Sequence, residues 1–279
     1  MSTTVAVPYG NRVADHDAPV GFGHLIRSEW TKIRSVRSTA WSLASLLVLA
    51  FGFTALIVGL TVAQWNDNSA EDRLSITSDP VSFILAAGFQ FAQLTICVLG
   101  VLVIAGEYST GMIRASLLAV PRRPRMLAAK CVVFAALVFV VGLLVAFPSF
   151  FMGAALLHDK APVSLGDPGV LRAVLGASLY LAVLGLFAMA IGALVRNTGA
   201  GIAGVIGFVL ILSPLAQLLP GSLGKHVHAY LPSEAGHLIA QAHQGTDDLL
   251  SPWQGFGVFC LWTAVLLVAA TYFLERRDA

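Results

Sequence analysis

WSLASLLVLAFGFTALIVGLTVA, Trp41 to Ala63, decides the fold: 23 residues without a charge, twelve of them Leu, Ile, Val or Phe. At 1.5 Å rise per residue, a helix of this length crosses a hydrocarbon core of ~30 Å. At about 0.3 to 0.6 kcal/mol each, the twelve favour insertion by roughly 4 to 7 kcal/mol, of which a single central Arg would cancel about half. The pattern recurs at Val81 to Ala105, Ala128 to Leu157, Ala173 to Val195, Gly199 to Leu219 and Gly255 to Leu274, so apolar spans fill about half of the 279 residues. The third stretch is overlong, and Pro148 inside it is expected to break or kink the helix, leaving Ser149 to Leu157 at the outer interface. The expected fold class is all-α: a polytopic membrane protein with six transmembrane helices.

Composition agrees. Hydrophobic residues make up 57% and charged ones 11%, against roughly 25% charged in a soluble domain, and the mean hydropathy is +0.81. The net charge of +2 is too small to argue for nucleic acid. Its distribution is more informative: of 17 Lys and Arg, only Arg73, Lys160, Arg172 and Lys225 fall on one side of the six spans, and the other 13 fall opposite. Basic residues near span ends stay cytoplasmic, which puts both termini inside. Residues 1 to 20 contain no apolar core of a signal peptide and are expected to form a disordered tail, with one membrane domain over 21 to 279. Arg outnumbers Lys in an Ala- and Val-rich chain, which hints at a GC-rich bacterial genome and a plasma membrane. Cys97, Cys131 and Cys260 lie in apolar stretches and suggest neither a disulfide framework nor a metal pair.

The span interiors carry no Asp, Glu, His or Arg, and Lys130 and Arg172 stand at edges. Proton relays, ion sites and voltage sensors need such groups, so those classes are disfavoured. Gln90 and Gln93, an i, i+3 pair, serve either hydrogen bonding between helices or a substrate path. GAGIAG at Gly199 matches G-x-G-x-x-G, but no strand precedes it and no acidic residue follows at the required distance, so no dinucleotide site is read there. Its small residues instead suit close helix packing or a dimer face. No phosphate-binding G-x-x-x-x-G-K-[ST] occurs, so the chain is not expected to bind ATP or to be an enzyme. His226, His228, His237 and His243 fall in the outer loop from Pro220 to Gln254 without metal-site spacing. Within it, LPSEAGHLIAQAH reads as a short helix capped by Ser233, lying on the outer surface or dipping between spans.

Before the first span, Phe22, Leu25, Ile26, Trp30, Ile33 and Val36 share one helical arc, which predicts an interfacial helix on the inner leaflet. Glu29 lies inside that arc and needs a partner such as Lys32, Arg114 or another protein. Between spans two and three, Thr110 can cap a short helix with Met112, Ile113, Leu117 and Val120 on one side, stopped by Pro121. Arg122, Arg123, Arg125 and Lys130 then hold the chain at the inner headgroups. A capped helix with exposed apolar residues beside a basic cluster reads as a docking surface.

SEWTKIRSVRSTAW (Ser28 to Trp41), GEYSTGMIRASLLAVPRRPRMLAAK (Gly106 to Lys130), LVRNTGAGI (Leu194 to Ile202), LPSEAG (Leu231 to Gly236) and the terminal LERRDA, in this order around six spans, resemble the permease subunits of type 2 ATP-binding-cassette (ABC) exporters. The resemblance implies an elbow helix at His24 to Arg37, with Glu29, Trp30, Lys32 and Arg34. It also implies a coupling helix at Thr110 to Val120 that docks on a separate ATPase, which holds the ATP and Mg. The coupling residues are then Glu107, Tyr108, Thr110, Gly111, Arg114, Leu117, Pro121, Arg122 and Arg123. A second permease copy or a paralogue completes the expected assembly in the lipid bilayer, exporting an amphipathic or lipid-like compound or drug past Gln90 and Gln93. Two other classes stay open: an uncoupled channel or secondary transporter, and a membrane-embedded metalloenzyme using the outer histidines.

Overall fold

The computed structural model describes residues 21–35, 37–112, 123–218, 220–245 and 248–276. The tail at 1–20 and most of the segment read as the coupling helix, including Arg114, Leu117, Pro121 and Arg122, lie outside them. Among the described residues the chain is all-helical, and six helices are long and apolar enough to cross a membrane. In chain order these elements are α1 (Phe22–Ser35), α2 (Arg37–Ala63), α3 (Ala70–Ser78), α4 (Pro80–Ser109), α5 (Arg123–Leu156) and α6 (Val170–Val195). After these come α7 (Thr198–Gln217), α8 (Gly221–Ala229), α9 (Pro232–His237) and α10 (Pro252–Arg276). Successive spans alternate in direction. One end of the bundle gathers α1, the end of α4, the start of α5, the α6–α7 turn and the end of α10; it is called the basic end below. The far end carries α3, α8 and α9.

Local chemistry sets the boundaries. Asp79 caps α4 by accepting the Ser82 N–H at 3.1 Å, and Pro80 follows at the first helical position, where its missing N–H costs nothing. Arg196, in the left-handed region at φ 55°, closes α6, and the Asn197 side chain at once caps α7 by accepting the Ala200 N–H at 2.9 Å. Two spans are thereby joined by a two-residue turn.

α6 is the central helix, packed by α4, α5, α7 and α10. It crosses α4 so closely that a Cβ on Gly100 would lie 2.6 Å from the Gly185 carbonyl oxygen. Small residues let apolar helices approach to this distance, where dispersion does the work that water exclusion does in soluble proteins.

Two expectations are corrected. α5 does not break at Pro148 but continues to Leu156, so Ser149 and Phe150 are buried in the bundle rather than lying at the interface. Neighbouring helices compensate a transmembrane proline that would break an isolated helix. α7, read as a plain helix, widens into a π turn at Gly207–Ile211. Pro214 lacks the N–H that the Leu210 carbonyl would take in an α-helix and crowds that carbonyl, so the register is relieved just upstream.

Candidate functional site

At the basic end, four charged side chains meet. Lys130 Nζ, 2% exposed, lies 2.6 Å from Glu29 Oε2 and 2.7 Å from Glu107 Oε1. Lys32 Nζ lies 2.7 Å from Glu29 Oε1 and 3.4 Å from Glu107 Oε1. Two ammonium and two carboxylate groups balance, and they tie α1, α4 and α5 together. Burial pushes the Glu29 carboxyl upward, but Lys130 and Lys32 outweigh it and hold the group below its ordinary value. Burial likewise pulls Lys32 down, and Glu29 with Glu107 more than reverses this. Buried ion pairs add little net stability because of their desolvation; their geometric consequence is register. Here they fix α1 against the two helix ends that bracket segment 110–122.

This finding revises the sequence expectations residue by residue. Lys130, assigned to the headgroups, points into the protein. Glu29 has its expected partner in Lys32 and an unexpected one in Lys130. Glu107, expected as an ATPase contact, turns Oε1 inward to both lysines, and its Oε2 is buried without a hydrogen-bond partner among the described residues, as is Tyr108 Oη beside it. The interfacial arc of α1 splits: Leu25 and Glu29 face the bundle, whereas Trp30, with Phe22, is exposed. Arg34 is exposed as well. Thr110 ends α4, its Oγ1 donating to the Gly106 carbonyl at 2.9 Å, and Gly111 follows at φ 71°. Met112 is exposed. Arg123 donates to the Leu274 carbonyl at 2.6 Å and Arg196 to that of Phe273 at 3.1 Å, so both complete the last turn of α10. Arg196 also stacks 5.1 Å over the Tyr108 ring.

A second feature lies deeper. Gln90 and Gln93 border a cleft of ≈ 340 Å³ between α4, α6, α7 and α9, together with Phe89, Tyr180, Ser213, Gln217, Glu234 and His237. The two glutamines have different roles. Gln93 is buried and accepts a hydrogen bond from Tyr180 Oη at 3.3 Å, whereas Gln90 is exposed to the cleft. Gln93 thus takes the hydrogen bond between helices that was open to the pair, and Gln90 does not share it. Ser213, two residues past the π turn of α7, donates its hydroxyl proton to Glu234. His228 Nδ1 is 3.4 Å from Ser213 Oγ, and His228 Nε2 is 3.5 Å from Glu234 Oε2 and 3.3 Å from Gln217 Nε2. Because the serine proton is committed to the carboxylate, the trio is not wired as nucleophile, base and orienter.

The outer segment dips between spans. Gly176 on α6 and Gly255 on α10 lie against the backbone carbonyls of Ile239 and Ala235, where any Cβ would overlap the oxygen. Helix α9 therefore sits wedged, with Pro232, Ala235 and Gly236 buried. The Ser233 cap is a correction: Leu231 takes the cap position and Pro232 the first turn, leaving the Ser233 hydroxyl buried with no partner among the described residues. The helix ends at His237 and tightens to a 3₁₀ turn at Leu238–Ala240. The four histidines of this loop do not converge. His226 pairs with the Ser222 carbonyl at 2.7 Å, His228 faces Glu234, His237 sits against Phe89 and Tyr180, and His243 is exposed. Among the described residues no three His, Cys, Asp or Glu gather as a metal site.

Sequence reasoning missed Lys130, Tyr180, Ser213 and Glu234. Only Lys130 had a local signal: a lysine flanked by apolar residues, with an unmatched Glu29 in an apolar arc elsewhere. Comparison with known protein families and with curated proteins finds no match for this chain.

Proposed function

We propose that the chain is the membrane-spanning permease subunit of an ABC exporter, energised by a separate ATPase docked on segment 106–127. It carries no ATP site of its own and is not itself an enzyme; it pairs with a second copy or a paralogue in a bacterial plasma membrane, with the basic end and both termini cytoplasmic. One observation carries this reading: the buried quartet of Glu29, Lys32, Glu107 and Lys130 makes α1 and the two helix ends beside segment 110–122 one mechanical unit. A load applied to that segment would pass to α4 and α5 together and rock them against α6 and α7. Access to the cleft would change with it, a rigid-body switch driven by partner closure rather than by chemistry in this chain. Ala200, Ala203 and Gly204 on the exposed side of α7 suit close approach by a second permease.

The test is gentle co-purification of the tagged chain, mass spectrometry of what stays bound and an ATPase assay on the complex. Arg114→Glu and Leu117→Asp change the docking segment and leave the four residues of the quartet themselves unsubstituted. A soluble ATPase retained by the wild type and lost from both variants is the expected result. Recovery of the chain alone at every salt and detergent concentration, or an ATPase retained equally by both variants, overturns the proposal.

A further inference from the structure

The cleft beside Gln90 is enclosed by four elements and opens on one formal charge. Of its lining residues, Glu234 is the one that carries a carboxyl group, and no Lys or Arg lines it. His237 is the other titratable ring at that pH, and burial holds it below its ordinary value, hence neutral. Ser213 holds the carboxylate at Oε1, while among the described residues Oε2 has only a long 3.5 Å contact with His228, and the side chain is 38% exposed. Aromatic rings line the same cleft, Phe89 and Tyr180 with centroids 5.5 Å apart and His237 about equally near both. An independent sign of a missing ligand is the Ser233 hydroxyl, which lines the same cleft, is 5% exposed and has no partner among the described residues. Native proteins satisfy nearly all such atoms.

We propose that this cleft binds an amphipathic organic monocation, an amine or quaternary ammonium bearing an apolar group, with Glu234 as its counter-charge. Its role as the exported cargo rests on the transport reading above; its binding does not. Charge selects the class. A carboxylate in a partly desolvated site repels anions and gains at most a hydrogen bond from a neutral donor, whereas a cation gains the ion pair and the neighbourhood of the aromatic rings that line the cleft. A single carboxylate matches a single positive charge. Glu234 also borders a neighbouring cleft of ≈ 300 Å³ nearer the far end, lined by Lys225, His228, Gln241 and Asp248. The counter-charge therefore stands at the boundary between the deep cleft and the outer one, where a departing cation would still be held.

The test uses the purified chain in nanodiscs of zwitterionic phosphatidylcholine, without any ATPase, and two probes of similar size and opposite charge, benzyltrimethylammonium and benzenesulfonate. Binding is followed by saturation-transfer NMR and calorimetry, and thermal melting checks that each variant folds. The expected result is saturable binding of the cation alone, weakened about tenfold or more by Glu234→Gln, which keeps an acceptor for Ser213. Phe89→Leu, which leaves the carboxylate in place, should weaken it severalfold, and this arm stands even if Glu234→Gln fails to fold. Benzenesulfonate bound as well as the cation, no saturable cation binding to the wild type, or folded variants that bind like the wild type would each overturn the proposal. Because no ATPase takes part, failure here leaves the coupling test untouched, and failure of ATPase co-purification leaves this site untouched.

Discussion

Replacing Lys130 by Met keeps the length of the side chain and removes the cation at the centre of the quartet. Glu29 then retains Lys32 at 2.7 Å, while Glu107 retains only the 3.4 Å contact to the same ammonium. Breaking a buried pair by removing one partner costs about 3 to 5 kcal/mol. The protein has an escape, which is to protonate one carboxylate, and that sets a ceiling. Each pH unit above the ordinary carboxylate value of 4.5 costs about 1.36 kcal/mol, so the ceiling is about 3.4 kcal/mol at pH 7 and about 1.4 kcal/mol at pH 5.5. Lys130→Met should therefore lose about 3 kcal/mol at neutral pH and less than half of that at pH 5.5. The assay is unfolding of the purified chain in mixed micelles by titration with sodium dodecyl sulfate, followed by tryptophan fluorescence at both pH values. Adding Glu107→Gln should recover more than about 1 kcal/mol, since it removes the stranded charge. A loss below about 1 kcal/mol, or an equal loss at both pH values, would refute a charge-balanced network as the tie between α1, α4 and α5.

Other outcomes follow from the same structure. Gly100→Ala should destabilise by about 1 to 3 kcal/mol because its methyl meets the Gly185 backbone oxygen, which cannot yield as a flexible side chain would; Gly257→Ala, with open space around it, serves as the neutral control in the same titration. For the wild type, Glu29 is held below its ordinary 4.5, so its contribution is full above that pH and disappears as pH falls through the lower folded-state value. The unfolding midpoint should accordingly be insensitive to this group from pH 5.5 to 8 and drop below about pH 4.5. Cys131 and Cys260 are half-buried and Cys97 is buried; a small maleimide should label the first two in mild detergent and reach Cys97 only after unfolding, as mass spectrometry of labelled peptides would reveal.

The spans were legible because insertion depends on local composition: some twenty consecutive apolar residues identify a spanning helix without reference to any other part of the chain. Their ends were less so. The second span runs on from Ala105 to Ser109, and Glu107 in that extra turn is held by Lys130, a partner no window of sequence contains. Glu29 betrayed itself by lying in an apolar arc, which said that a partner existed but not which. Lys130 was misread because a lysine at a span end usually reaches for headgroups; three packed helices close that route. In the cleft, the spacing of Gln90 and Gln93 put both on one face of α4, whereas Tyr180, Ser213 and Glu234 join them only through the crossing of α6 and α7 and the wedging of α9. Pro148 and Pro214 illustrate the same divide: the residue is visible, but whether it bends, breaks or merely widens a helix is decided by its neighbours.

The quartet also bears on how the protein is made. Glu29 emerges early, yet the ammonium that neutralises its second oxygen lies 101 residues further along. At roughly 5 to 20 residues per second, synthesis leaves a gap of about 5 to 20 s before Lys130 exists. Through that interval Glu29 has Lys32 alone as its partner, and α1 has reason to stay beside water while the first two spans enter the bilayer. Arrival of α5 then supplies the second ammonium, so that α1 is locked in place only after two spans that follow it in the chain have been made.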